Sequence, residues 1–594
     1  MSAPALSTKD TRVDAHALGL GLYVVAALAA ITAAVTVPFS AYVINLLMQA
    51  STYAIAVLGL TIVLGYAGQI NLAQAAFFGL GAYSVALGTT VFELSFFVAL
   101  VIGVAIAATC GAVLGLTSLR LAGHYLAMVT ISFQTVLTLV LTNWVSFTRG
   151  PDGVPNIRRP VLLAESGPYL GLCIAALFVV AFFVWRLKTT RLGRAMQAVR
   201  DNELAANVVG VNAYGTKVAA FTLSALLAGF GGALFAGGFT YVSPDQFGFA
   251  ESVVFLTMAL LGGSAAPAGA VLGTALLILL PEWLRFLKVI YLAVYGGAVI
   301  LIMVFMPDGI WGYAMTLWCQ LRPTRPKDPG LISPFEFVRG TASKDGTVLL
   351  STRGLSKFFG GLKAVDSVNL TIRRNTVHAL IGPNGSGKTT LLNVLNGIVR
   401  PSAGTIVLDG IDITRMPPHR RAGCGLGRTF QNIRLFGAMS VLDNVSVGAE
   451  RRHNTVPPNA LVHHALSALD FVGLATRAGG SIGSLSYGHQ RLVEIARALS
   501  GQPKLLLLDE PGAGLNHVEK DGLVTLLKRL KGHGLTIFII DHDMAMVEQV
   551  ADRITVLNFG KRIADGTPAD VLSNPDVVAA YLGEGHPARS HGAS

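Results

Sequence analysis

A polytopic α-helical membrane domain of about nine or ten spans, followed by an α/β phosphate-loop domain with a helical subdomain, is the architecture this sequence predicts. Three observations predict it. The chain is 52% hydrophobic and only 13% charged, with a mean hydropathy of +0.59, far above the soluble range. Charge is segregated: about 25 charged side chains fall in residues 1–320 and about 53 in residues 321–594. In the polar half, Gly382-Pro383-Asn384-Gly385-Ser386-Gly387-Lys388-Thr389-Thr390 follows the apolar run Val377 to Ile381 and precedes a helical stretch closed by Gly397. Strand, glycine loop and helix is the setting a phosphate-binding loop requires.

At 594 residues the chain exceeds one core. Its composition divides it into a membrane domain (1–320), a linker (321–347), a phosphate-loop domain (348–585) and a disordered tail (586–594). Apolar stretches fall near 18–38, 42–65, 70–91, 95–119, 125–147, 169–186, 216–241, 250–262, 267–281 and 289–306. Most match the ~20 residues that cross a bilayer. The first is too long for a signal-peptide core and is expected to stay as a span. The short pair 250–262 and 267–281, joined by Gly262-Gly263-Ser264 and broken by Pro267, reads equally as half-spanning pieces or as two short helices packed on small residues.

Polar side chains inside the spans are few. Gln69, Asn71 and Gln74 either line a path or glue helices together, and Glu251 sits near a span entrance. No row of titratable carboxylates crosses the membrane, which argues against a proton-driven carrier. The one long polar loop, Arg186 to Gly215, carries Arg186, Lys188, Arg191, Arg194 and Arg200 and is expected in the cytoplasm. Within it Glu203 to Gly210 reads as a short helix ended by glycine. An even number of crossings must then separate residue 215 from the phosphate-loop domain, which favours counting the short pair as two. The prolines and cations of Arg322 to Gly330 mark the juxtamembrane boundary. Cys110, Cys173, Cys319 and Cys424 are scattered and form neither a metal motif nor a disulfide framework. The net charge of +12 lacks basic-aromatic interleaving, so no nucleic-acid partner is expected.

The chemistry lies in the second half. Gly382, Gly385 and Gly387 let backbone N–H groups wrap a phosphate, Lys388 adds charge at the β- and γ-phosphates, and Thr389 offers a hydroxyl to Mg²⁺. Lys504 to Leu508 reads as a second buried strand ending in Asp509 and Glu510. Asp509 suits a metal shell and Glu510 a base polarising the attacking water.

Three further pieces, Leu485-Ser486-Tyr487-Gly488-His489-Gln490, Gln431 after Gly427-Arg428-Thr429-Phe430, and His542 after Thr536 to Ile540, complete a set and order. Together they resemble the ATP-binding cassette (ABC) ATPases over 349–584. The resemblance implies ATP and Mg²⁺ as cofactors. It implies that Phe359 stacks on adenine, that Gln431 senses the metal and the membrane domain, and that His542 contacts the γ-phosphate. Ser486 and Gly488 would present a helix N-terminus to the partner subunit's ATP. Tyr487, His489, Asn516 and Asp541 depart from the commonest forms. The membrane half, at Gly65 to Tyr83, Leu121 to Thr130, Gly150 to Val154, Gly262-Gly263 and Met306 to Gly309, resembles the permeases of branched-chain amino-acid importers. Ala205-Ala206 and Gly210 partly match the helix that docks such permeases on their ATPase, with Leu204 where Glu is frequent. Asn574 to Gly583 resembles the ends of the same importers' ATPases.

The resemblance therefore implies half of an ATP-driven importer in a bacterial inner membrane, with permease and ATPase fused. The partners implied are a second permease and ATPase, as a homodimer or with a homologous chain, an extracytoplasmic solute-binding protein, and membrane lipid. The alternatives are an exporter half-transporter, an importer of urea, amides or aromatic acids, and a cassette protein that couples ATP to regulation.

Overall fold

The computed structural model describes residues 10–118, 124–283, 291–306, 308–321, 334–335, 346–450 and 458–582. Nearly all of the expected linker, the whole tail and parts of three quoted motifs (residues 121–123, Pro307 and Gly583) lie outside them. The chain forms two compact units. One comprises Met1–Met196 with Tyr214–Thr324, the other Gln197–Ala213 with Arg325–Ser594.

In the first unit the apolar stretches are helical over most of their described length. Among the described residues five helices are long and apolar enough to cross a membrane: Ala41–Tyr66, Phe96–Thr117, Tyr125–Asn143, Ser166–Lys188 and Ala213–Phe239. Counting each of two bent pairs as one span gives seven at most. Apolar content does not reveal where the backbone breaks. The 70–91 stretch spends its start on non-helical chain and leaves a 17-residue helix, Gln74–Thr90. The pair Phe249–Gly262 and Pro267–Glu282 turns through 120°. At 1.5 Å per residue its arms are roughly 21 and 24 Å long, short of a ~30 Å hydrocarbon core. The arms pack backbone on backbone: a Cβ on Gly262 would stand 1.8 Å from the Gly269 carbonyl oxygen.

The span Ala41–Tyr66 ends in a π-helical turn, Thr61–Tyr66. The chain then runs non-helically to Gln74, where side chains satisfy the exposed donors of the new helix. Asn71 Oδ1 accepts from Ala73 N (3.0 Å), Ser252 Oγ from Ala75 N (3.0 Å) and Gln134 Oε1 from Ala76 N (2.7 Å). Gln74 donates to Ala56 O and accepts from Asn71 and Ser224. Asn71, Gln74, Gln134, Ser224 and Ser252 are all fully buried. Backbone that leaves a helix among apolar side chains needs such partners, each unmet N–H costing about 1–3 kcal/mol. Gln74 therefore ties its helix to two others, while Asn71 caps the new helix locally.

The second unit is built on a six-stranded sheet in the order Lys561–Gly566, Arg553–Asn558, Val377–Ile381, Thr536–Ile540, Leu505–Asp509 and Leu426–Arg428. All neighbours are parallel except the first pair. The three central strands are buried at every residue. Ala379, Ile381, Leu506, Leu508, Ile537 and Ile539 enter one apolar cluster, while Leu380, Leu505, Leu507, Phe538 and Ile540 enter another. This is the near-continuous apolar run of a parallel strand covered on both faces. Register pairs Leu380 with Ile540 and Ile540 with Asp509, so the strand ends that carry the loop, the carboxylates and the histidine lie side by side.

Within this sheet His378 is buried against Thr555, Nε2 to Oγ1 2.8 Å. Burial lowers its pKa from 6.5 to about 4, against the pull of Asp565. Between these values the unfolded chain takes up a proton that the folded chain refuses, so stability falls as pH drops through that window. The loss at its lower end is about 3 kcal/mol. Chemical unfolding of the cassette in the purified chain from pH 7 to pH 4.5 should show this slope, and His378→Gln should flatten it.

Candidate nucleotide site and its coupling segment

The strand Val377–Ile381 delivers the chain into a loop that only glycine can make at two points. Gly382 has φ 151° and a Cβ there would stand 2.2 Å from the Leu557 carbonyl oxygen. Gly387 has φ 99° and would meet the Ala364 carbonyl oxygen at 2.2 Å. Lys388 opens the helix Lys388–Asn396, and Gly397, at φ 84°, closes it as expected. The ammonium of Lys388 donates to the Gly382 and Pro383 carbonyls at 2.7 and 2.9 Å. Burial lowers its pKa, and the Glu510 charge partly restores it. Asn384, Gly385 and Thr389 are exposed, Pro383 and Thr390 half-buried, and Ser386 buried with an unpartnered hydroxyl. Phe359 ends the strand Val348–Phe359 with its ring half exposed under Lys357, whose Nζ is 4.9 Å from the ring centre.

Asp509 and Glu510 stand at the neighbouring strand end. Asp509 is buried, with Oδ2 3.1 Å from Arg428 Nη2 and Oδ1 without a hydrogen-bond partner. Burial pushes this carboxyl up while Arg428 pulls it down. Glu510 is held at φ 43°, an unfavourable backbone for a side-chain-bearing residue and a frequent mark of active sites. Its Oε2 accepts from Gln431 Nε2 at 3.0 Å and lies 3.6 Å from His542 Nδ1. The histidine is exposed, on a loop that the buried Asp541 organises by accepting the amides of Gly512, His542 and Asp543.

Lys388, Gln431, Glu510 and His542 thus converge. Ser486 and Gly488 sit at the start of another helix, Tyr487–Ser500. Ser486 caps it, its hydroxyl accepting from His489 N and pairing with His489 Nδ1 at 3.1 Å. Thr389, Gln431 and the open oxygen of Asp509 are hard oxygen donors that fit Mg²⁺. Among the described residues no group of three His, Cys, Asp or Glu could hold a metal alone. A cation would take its remaining ligands from phosphate and water, as Mg²⁺ commonly does.

Sequence reasoning missed the residues that hold Gln431 in place. Glu494 is buried between Arg491 (2.9 Å) and Arg497 (3.5 Å) and faces the amides of Phe430 and Arg434. Arg491 donates to the carbonyls of Phe430 (2.5 Å) and Gln431 (2.7 Å), and Arg497 to that of Arg434 (2.7 Å). Positions 491, 494 and 497 recur at helical spacing within an otherwise apolar helix, a visible trace of one charged face. Tyr581 of the C-terminal helix, read in the sequence only as part of a family-like end, lies beside the backbone of Gly382.

The clamped segment leads into the cup that receives Gln197–Ala213. Ala198, Val199, Ala205, Ala206 and Val208 share one buried cluster with Phe430, Phe436, Met439 and Val447. Asp201 Oδ2 accepts from Ala438 N at 2.8 Å. The expected short helix is Glu203–Val209, capped by Asn202 and ended by Gly210 at φ 113°. Deleting the carboxylate in Glu494→Ala leaves two buried arginines without their counter-ion. The expected cost is about 3–5 kcal/mol of cassette stability in denaturant unfolding. A loss below about 1 kcal/mol would show the clamp to be incidental.

A family model described as the permease component of branched-chain amino acid transport systems matches residues 42–306. An ABC transporter model matches 365–513, and a branched-chain amino acid ATP-binding cassette transporter model matches 561–587. The high-affinity branched-chain amino acid transport ATP-binding protein BraF of Pseudomonas aeruginosa is 43% identical. The match covers 40% of this chain and 98% of that protein. LivG of Escherichia coli K12, of the same description, is 42% identical with the same coverage. A solved nucleotide-free ATP-binding cassette from an ABC transporter is 34% identical, over 40% of this chain and all of that one, with a TM-score of 0.37. The chain belongs to the branched-chain amino acid ABC transporter family, with a permease domain and an ATP-hydrolysing, ATP-binding cassette in one polypeptide.

Proposed function

We propose that the chain is half of an importer that uses ATP to move branched-chain amino acids, or similar small amphiphilic solutes, into the cytoplasm. The observation that carries this reading is the shared cluster of Gln197–Ala213 with Phe430 and Phe436, next to Gln431. It gives nucleotide chemistry a path to a segment lying between permease helices. An exporter finds less support, because exporters usually have long cytoplasmic helical extensions and this coupling segment is a pair of short helices, Arg191–Asp201 and Glu203–Val209. The expected location is a bacterial inner membrane, with the cassette in the cytoplasm.

In this reading Gly382 to Thr390 wrap the phosphates, and Lys388 leaves the loop carbonyls for β- and γ-phosphate oxygens. Phe359 stacks on adenine. Thr389, Asp509 and Gln431 would hold Mg²⁺, which would supply charge to offset the phosphates. Glu510 takes a proton from the water that attacks the γ-phosphorus, and the bond to the bridging oxygen breaks, leaving ADP and phosphate. His542 hydrogen-bonds the γ-phosphate and orients that water through Glu510. Ser486 and Gly488 complete the site of a second cassette. One chain then carries two half-sites and one permease, so the active complex holds two of each, from a second copy or a homologous partner. An extracytoplasmic binding protein supplies the solute.

Uptake of labelled solutes by a strain lacking this chain tests the substrate. Leucine, isoleucine and valine uptake should fall, and loss confined to urea, amides or aromatic acids would redirect the assignment. Glu510→Gln should keep ATP binding while hydrolysis falls about 10²–10⁴-fold, since an amide is no base. Hydrolysis at the wild-type rate would remove Glu510 from that role.

Assembly has its own test in mixed Lys388→Ala and Ser486→Arg chains, each inactive alone. In a mixed homodimer both lesions fall in one composite site, so ATPase activity should partly return. Mixed dimers without recovery would refute completion of the site across two chains.

A further inference from the structure

We propose that the first turn of the helix His517–Gly532 links the two half-sites of this chain, with Glu519 and Lys520 as positioning residues. The proposal rests on the composite-site reading above and deepens it. Glu519 is pressed against Gly488: a Cβ there would stand 2.3 Å from its Oε1. Its other oxygen accepts from Asn516 N at 3.1 Å, while Asn516 Oδ1 accepts from Glu519 N at 2.9 Å. This reciprocal box fixes the carboxylate at the helix start. A second contact lies two residues upstream of Asn516, where Gly514 has φ +76° and a Cβ would meet the Tyr487 ring at 3.0 Å. The loop after Glu510 therefore touches the chain's own Tyr487-Gly488 at two points.

Lys520, the next residue, serves the other half-site. Its Nζ pairs with Asp543 Oδ2 at 2.7 Å. Asp543 directly follows His542, caps the helix Met544–Val550 through Oδ1, and sends its own amide to Asp541. His542 in turn faces Glu510 at 3.6 Å. Consecutive helical residues point about 100° apart, so one turn can reach both the signature segment and the histidine loop. A shift of Gly488 as it meets the partner's nucleotide would press Glu519, turn a 16-residue helix and pull on Asp543. The Lys520–Asp543 pair is partly exposed, so it adds little to stability and its loss should not unfold the cassette.

The test uses the full chain assembled with two cassettes, measuring ATP hydrolysis against ATP concentration. The Hill coefficient should exceed 1 in the wild type. In Lys520→Met and Glu519→Gln it should fall towards 1, the unfolding temperature staying as in wild type, and Lys520→Arg should retain the wild-type value. A wild-type coefficient of 1 overturns the proposal. So does an unchanged coefficient in both variants, even if their turnover drops. The mixed Lys388→Ala and Ser486→Arg chains run alongside: failure to recover there removes the composite site itself and this link with it. Recovery there with unchanged coefficients removes the link alone.

Discussion

The cassette depends on one buried carboxylate. Glu494 has no solvent exposure and lies between two arginines that are equally buried. Charges so far from water are tolerated only when each is neutralised and hydrogen-bonded. Here the further hydrogen bonds go to backbone, to the amides of Phe430 and Arg434 and the carbonyls of Phe430, Gln431 and Arg434, while Arg491 Nε and Arg497 Nη2 stay without a hydrogen bond. The cost of burying ions thus becomes a constraint on an irregular segment. Gln431 faces Glu510 because its main chain is held. Arg497 also packs on the coupling cup, 4.8 Å from the Phe436 ring centre, and two further arginines, Arg428 and Arg434, lie 5.0 and 5.3 Å from that of Phe430.

Much of the nucleotide site was legible because its chemistry needs contiguous residues. A phosphate cradle demands glycines at fixed offsets, and parallel strands demand unbroken apolar runs, so the loop and both carboxylates could be read directly. The clamp could not, since its partners are backbone groups sixty residues away. The role of Gln74 was ambiguous for the same reason: Ala56 and Ser224 decide it, and no local pattern names those partners. The breaks inside apolar stretches were hidden for another reason. Hydropathy sees composition, whereas the breaks at Gly68–Ala73 and at Gly263 are set by side-chain capping and by glycine backbones in contact.

Three of the four residues that depart from the common cassette pattern shape loops around the site, and the fourth, His489, pairs with the capping Ser486. Tyr487 lays its ring over Gly514, Asn516 builds a capping box with Glu519, and Asp541 gathers three amides into the histidine loop. Those three departures therefore sit in contacts that shape loops around the site, while Lys388, Gln431, Glu510 and His542 keep their residue types.

The segment Gln197–Ala213 lies between membrane helices in sequence and joins the cassette in space. Carrying both on one polypeptide replaces an encounter between subunits with an intramolecular one, at effective concentrations of about millimolar. Permease and ATPase are also made in equal number, with no unpaired cassette left to hydrolyse ATP away from a membrane. The order of synthesis is fixed as well. The ribosome finishes the permease before the phenylalanine cup exists, so Ala205 and Ala206 must await a partner made more than two hundred residues later.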